Sequence, residues 1–341
     1  MIKRDNVFNN RIIFVDGMWG SGKSLLSPLL GLGQGIEKQK IDHNFDFICI
    51  LNHLKLLSEE SAVTMLKIHS DLATYNSHIS REVNFRFHDT SGVFNNPKKL
   101  KYLFNLFKKD KGNVEGEILR LKPTLHIMSH NILPVSKPLT KAFGRRLKLI
   151  AMTRNPVYMM KYWSTYLQRV GKEPKELTLS IGDNGDVPWF IKDVKKFNNL
   201  RPMERAIESY KDLLDSTLQV EKEGFLNEDS LMVIPFESFT LDSKMWIHKI
   251  MDYLELDDYS KFIKFLPQIN CPRTYLLEGI DKKVIRSRRK NLAKLEKDNF
   301  YSILEEIKDQ TSSSYFQELI ELINRYKQEY RFPRQMPWDD I

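Results

Sequence analysis

Four short stretches of the chain, residues 11–16, 124–130, 147–153 and 231–236, are apolar almost without interruption and are bounded by polar or turn residues. That length and composition predict strands buried on both faces, as in a parallel sheet covered by helices. Between them the apolar positions recur with helical period, predicting helices over 24–32, 58–76, 97–109, 114–122, 156–170, 203–221 and 243–254. Strands alternating with helices define an α/β fold with a central, mostly parallel sheet in three layers. From about residue 257 the strand signals cease, and 292–310 and 316–330 read as the clearest helices. We expect a single domain over 1–341, with a core at about 11–256 and a helical extension at about 257–341 that packs on the sheet or closes over a ligand.

A phosphate loop stands at the end of the first strand. Gly17-Met18-Trp19-Gly20-Ser21-Gly22-Lys23-Ser24 matches GxxxxGK[ST] without a mismatch and follows Ile12-Ile13-Phe14-Val15 directly. Glycines let the backbone turn tightly and aim successive N–H groups, with the N-terminus of the next helix, at an anion. Lys23 adds a point charge. Nucleotide kinases, GTPases and other transferases share such loops, and an NTPase needs Mg²⁺, held by the loop serine and an acid ending another strand. The third strand run ends in Arg154-Asn155-Pro156 and the second in Ser129-His130-Asn131, so neither supplies a carboxylate. Only Glu237 follows a strand closely, and it equally suits the cap of a helix.

An arginine between a buried strand and a helix opened by proline points its donors over the carboxyl edge of the sheet, where open α/β folds bind ligands. With that element the chain resembles the sulfotransferases that use 3′-phosphoadenosine 5′-phosphosulfate (PAPS). These pair a phosphate loop with a strand–Arg–(Asp/Asn)–Pro–helix element. Leu231-Met232-Val233-Ile234-Pro235-Phe236-Glu237 resembles the family's late strand, and Arg81-Glu82-Val83-Asn84-Phe85-Arg86-Phe87 is similar to a segment of the glycan (heparan-type) members that carries a glutamate base.

The resemblance implies roles residue by residue. Gly20, Ser21, Gly22, Lys23, Ser24 and Leu25 would hold the 5′-phosphosulfate, Lys23 would stabilise the leaving oxygen, and Arg154 would bind the 3′-phosphate with Tyr162 or Ser164 beside it. Glu82, or else His88 or Asp89, would deprotonate the acceptor, and Arg286, Arg288 and Arg289 would form a basic loop over the donor. Two departures stand out: Lys23 occupies a position where many members have threonine, and Tyr162 the position of the family's serine. The donor implied is PAPS, with the bisphosphate PAP as product and no metal required; the acceptor is a saccharide or another small molecule. Trp163, Tyr166, Trp189, Phe190 and Trp246 offer rings for a sugar, though aromatics at helical spacing are more often core, and the turn-rich 183–189 segment is a candidate border of the acceptor cleft.

Charge and cysteine usage add context. With 53 Lys and Arg against 44 Asp and Glu, the net charge of +9 favours acidic partners without choosing among them. The basic groups at 98–101, 108–111 and 145–148 read as solvated helix faces. Cys49 and Cys271 are too few for a disulfide framework, and no apolar run nears the roughly 20 residues that span a bilayer, so a soluble, unprocessed, cytoplasmic protein is expected. Two other classes stay open: a Mg·ATP-dependent kinase of small molecules, and a nucleic-acid or anionic-polymer binding protein, although no known nucleic-acid module is present.

Overall fold

The structure is a computed structural model that describes residues 2–89, 92–96, 98–107, 113–279 and 292–341. Its strands, in chain order, are β1 (Ile12–Asp16), β2 (Lys40–Ile41), β3 (Leu125–Met128), β4 (Leu147–Thr153), β5 (Ser180–Ile181), β6 (Val187–Pro188) and β7 (Leu231–Pro235). Five of them form one parallel sheet in the order β2-β3-β1-β4-β7, while β5 and β6 pair antiparallel. The helices are α1 (Lys23–Leu30), α2 (His43–His53), α3 (Glu59–His78), α4 (Lys99–Asn105), α5 (Val114–Leu121), α6 (Lys137–Phe143), α7 (Val157–Tyr166), α8 (Val194–Asn198), α9 (Pro202–Glu223), α10 (Phe236–Leu241), α11 (Ser243–Leu254), α12 (Tyr259–Phe265), α13 (Leu292–Asp309) and α14 (Ser313–Glu329).

β1 is the middle strand, and all five of its residues are buried. Successive side chains alternate faces. Ile12 and Phe14, with Leu149 and Ala151 of β4, meet a core built with α2, α3, α6, α7 and α9; Ile13 and Val15, with Ile150 and Met152, meet a second core built with α1, α11 and α12. Three layers result, as the continuous apolar runs predict. Helix starts follow ordinary capping chemistry: the Ser58 side chain accepts from Ser61 N ahead of Glu59 and Glu60, and Asp242 accepts from Met245 N.

Phe300, Leu304, Leu319, Leu322, Tyr326 and Trp338 are buried in the first core. The C-terminal helices are therefore part of its packing. Among the described residues no helix is long and apolar enough to cross a membrane. The chain from Arg81 to Phe87 is irregular rather than an edge strand, and the edge of the sheet is the two-residue β2.

Candidate active site

β1 runs straight into the phosphate loop, which arcs over the carboxyl edge of the sheet. Gly17 has φ +139°, and a Cβ there would lie 2.3 Å from the Met152 carbonyl of β4. Gly22, at φ +102°, caps α1, and a Cβ on it would enter the Phe236 ring. Both positions thus require glycine. The first amides of α1 have no carbonyl four residues back within the helix, so they face the loop's concavity as an anion-binding edge. Ser24 is exposed at the mouth, and the buried Ser21 hydroxyl has no partner. Lys23 is buried beneath the loop; its ammonium donates to Gly17 O, and to Met18 O at 3.3 Å. Burial lowers its pKa to about 8, partly offset by the carboxylates of Asp16 and Asp46.

Beyond β4, Arg154 reaches back across the sheet edge and donates to Gly20 O at 3.0 Å. Its guanidinium lies 4.6 Å from the centre of the Phe236 ring, and that of Arg273 lies 5.7 Å from the same ring. Two guanidiniums therefore lie close to the ring against which Gly22 packs. Arg273 was not apparent from the sequence, because no motif marks it; only the preceding Cys271-Pro272 hints at a fixed turn. Glu237 is fully buried beneath Arg154. One of its oxygens accepts from Asn155 N at 3.1 Å and the other from Tyr326 OH at 2.6 Å, and burial raises its pKa. The only acid that closely follows a sheet strand in the sequence reading is thus engaged in bracing the Arg154 turn to α14.

Of the two candidates beside Arg154, Tyr162 is exposed, stacks on Tyr166 and lies against Gly20. Ser164 is buried and donates to Lys161 O of its own helix at 2.9 Å, so its hydroxyl is turned away from the loop. Leu25 follows the loop in α1, partly buried against the second core. Arg286, Arg288 and Arg289 lie outside the described residues.

The sequence reading missed a cluster on the other side of the loop. His130 lies just beyond β3 and stacks on Trp19 of the loop at 3.6 Å between ring centres, with His43 of α2 5.3 Å away. Asp46, one turn along α2, places Oδ2 3.5 Å from His43 Nδ1 and 3.8 Å from His130 Nδ1. The Asp46 carboxylate is met by the His43 side chain and the His130 backbone at long range only, and His130 Nδ1 makes no hydrogen bond. Burial pushes the Asp46 carboxyl up to about 6 and drives His130 well below its usual value, which keeps the imidazole neutral at neutral pH. A narrow cleft lined by Trp19, His43, Asp46, Phe47, His130 and Trp189 opens here. The ligand atoms of His43, Asp46 and His130 all lie within 4.8 Å of one another, a spacing that also admits a divalent cation. Their sequence signal is faint: a His-x-x-Asp spacing at the start of a helix and a histidine at a strand end, 87 positions apart from the first.

The expected bases stand elsewhere. Glu82 is ion-paired with Lys40 of β2 and accepts from Asn76 at 2.8 Å. It lines a separate cavity of about 230 Å³ with Lys38, Lys40 and Asn84, at the edge of the sheet two strands from β1. His88 is exposed and meets Phe87 edge-on. Of the aromatic candidates, Trp189 lines the cleft beside the loop, next to the β5–β6 hairpin; Trp163 and Trp246 are core, their indole N–H groups given to Trp19 O and Ser238 Oγ.

No family model and no curated protein matches the chain. By fold it is similar to solved sulfotransferase structures. The sulfotransferase domain from the curacin biosynthetic pathway is 12% identical, covers 95% of this chain and 99% of its own, and superposes with a TM-score of 0.45. The sulfotransferase domain from the Synechococcus PCC 7002 olefin synthase is 11% identical over 97% of this chain and 98% of its own, at 0.44. Sulfotransferase STF9 from Mycobacterium avium is 12% identical over 84% and 76%, at 0.38.

Proposed function

We propose that this chain is a PAPS-dependent sulfotransferase, moving a sulfuryl group from the donor to a hydroxyl or amine of a small acceptor. The observation that carries the reading is the pair of guanidiniums, Arg154 and Arg273, gathered at the Phe236 ring at the loop's edge. Fixed cations there suit a second phosphate on the nucleotide, which PAPS has and ATP lacks at the ribose.

In the mechanism, the loop amides and α1 hold the 5′-phosphosulfate, and the reacting hydroxyl or amine of the acceptor enters the narrow cleft of Trp19, Phe47 and Trp189, whose free space of about 20 Å³ takes one small group. The acceptor oxygen or nitrogen forms a bond to sulfur as the bond from sulfur to the bridging phosphate oxygen breaks. Its proton passes to the imidazole–carboxylate cluster of His130, Asp46 and His43. Lys23 exchanges its loop carbonyls for the bridging oxygen and stabilises the charge that develops on the departing bisphosphate. No step in this scheme calls for a metal. We assign all of these roles to one domain in a reducing, cytoplasmic setting, in keeping with two buried free cysteines.

One observation favours a second reading, a Mg·ATP-dependent kinase: Asp46 is a buried carboxylate close to Lys23, and Ser24 is exposed at the loop. Thermal unfolding separates the two. PAP, ADP and ATP are each added with Mg²⁺ and with EDTA, because a ligand that binds only the folded state raises the midpoint. The proposal expects PAP to stabilise most strongly and equally in EDTA. Stabilisation confined to the Mg²⁺ nucleotides refutes it in favour of the kinase.

A further inference from the structure

One face of the molecule combines two features that seldom occur together by chance. Phe85, Phe87, Phe104 and Phe107 are all exposed, Phe104 at 67% and Phe107 at 85%, with Leu100 and Leu106 among them; no other phenylalanine is exposed among the described residues. They form one patch. The Phe94 ring meets those of Phe85 and Phe87, and the 3₁₀ turn that carries Phe94 packs against α4, which holds Leu100 and Phe104. Exposed apolar patches of this kind on a folded protein mark an interaction surface.

The same stretch carries a surplus of positive charge. Residues 83–111 contain seven Lys and Arg and two Asp, a surplus of five within a total of +9. Arg86, Lys99 and Lys101 are exposed on the same segments, Lys101 also being paired with the buried Glu37 at 2.7 Å. An anionic polymer would be met by the cations alone and would leave the phenylalanines in water. A lipid surface uses both, since rings enter the boundary between headgroups and acyl chains while Lys and Arg face anionic headgroups.

We propose that this face docks the protein peripherally on an anionic lipid bilayer, Phe87, Phe104 and Phe107 inserting and Arg86, Lys99 and Lys101 meeting the headgroups. The inference is independent of the donor and the reaction. The test is co-sedimentation of the full chain with vesicles of phosphatidylcholine, with and without added phosphatidylserine, at low and moderate salt. Binding should rise on the order of tenfold or more with the anionic lipid and weaken with salt. Phe104→Ser/Phe107→Ser should lose it while keeping the wild-type unfolding midpoint, since both rings are exposed. Lys99→Glu/Lys101→Glu should lose the preference for anionic vesicles. No sedimentation with either vesicle overturns the proposal, as does equal binding to neutral and anionic ones. A concentration-dependent dimer that the phenylalanine variant abolishes, without vesicle binding, assigns the face to a second copy of this chain instead.

Discussion

Lys23 and Asp46 are two buried charges that the fold holds at a cost in stability. A lysine whose pKa falls to about 8 binds fewer protons folded than unfolded between that value and its usual one near 10.5. Its burial therefore penalises the native state below pH 8, and the penalty fades as pH rises through that window. For catalysis the sign is opposite, because the charged form is the one that stabilises a leaving phosphate. We predict that kcat/KM for PAPS falls above about pH 8 and that Lys23→Arg shifts this limb upward. Lys23→Ala should lose ~10²- to 10³-fold in kcat with a smaller change in PAP affinity. Equal losses in both would assign Lys23 to binding alone.

Asp46 offers a second check with a different readout. Its carboxyl, raised to about 6, is protonated more readily folded than unfolded, so the native state loses stability as pH rises from about 4 to 6 and does not recover it above. Asp46→Asn should raise the unfolding midpoint at pH 7.5 by several degrees, leave it unchanged near pH 4, and lower turnover strongly. A functional group retained against stability behaves in this way; a structural one would not. A lower midpoint at pH 7.5 would mean that Asp46 is a structural partner of the two histidines.

Among the elements, the four sheet strands with continuous apolar runs were legible almost to the residue: 147–153 is β4 as observed, and 231–236 differs from β7 by one position. β2 was not, because two residues hold no period, and α2 was not, because its buried face mixes Phe45, Asp46, Ile48 and Cys49 with polar neighbours. That omission hid half of the candidate site. The loop and Arg154 were legible because local backbone demands, glycine at positive φ and proline opening a helix, are written in residue type. The surroundings of Glu82 were not legible, because its motif makes no such demand and its ion-pair partner, Lys40, lies on the unrecognised strand.

The β4–α7 turn also yields an element-level prediction. Arg154→Ala should weaken PAP binding ~10-fold or more and leave ADP nearly unchanged, as expected for a charge-assisted contact to the extra phosphate; isothermal titration reads both. Tyr326→Phe removes the hydroxyl that satisfies buried Glu237 and should destabilise the chain by ~1–3 kcal/mol in urea unfolding. If Arg154 weakens ADP as much as PAP, it serves the loop rather than a second phosphate.

Across the whole molecule, the sheet places two unlike chemistries on opposite sides of one loop. Cations gather where β4 and β7 end, and the imidazole–carboxylate cluster lies where β2 and β3 end, with β1 between them. Donor and acceptor would thus approach from opposite sides, with the transferred group over the strand-order switch at the sheet's carboxyl edge. The C-terminal helices bear on this arrangement through the core. Tyr326 reaches Glu237 under Arg154, and Phe300 and Trp338 pack with Tyr158 at the other end of the same turn. A chain cut after Gly279 would leave Glu237 without that donor and would open the first core along α7 and α9. We predict that it fails to unfold cooperatively and gives no thermal shift with PAP. Were the C-terminal region a lid, the cut chain would keep its cooperative transition and lose only ligand affinity, so circular dichroism melts with and without PAP decide between a structural wall and a moving cover.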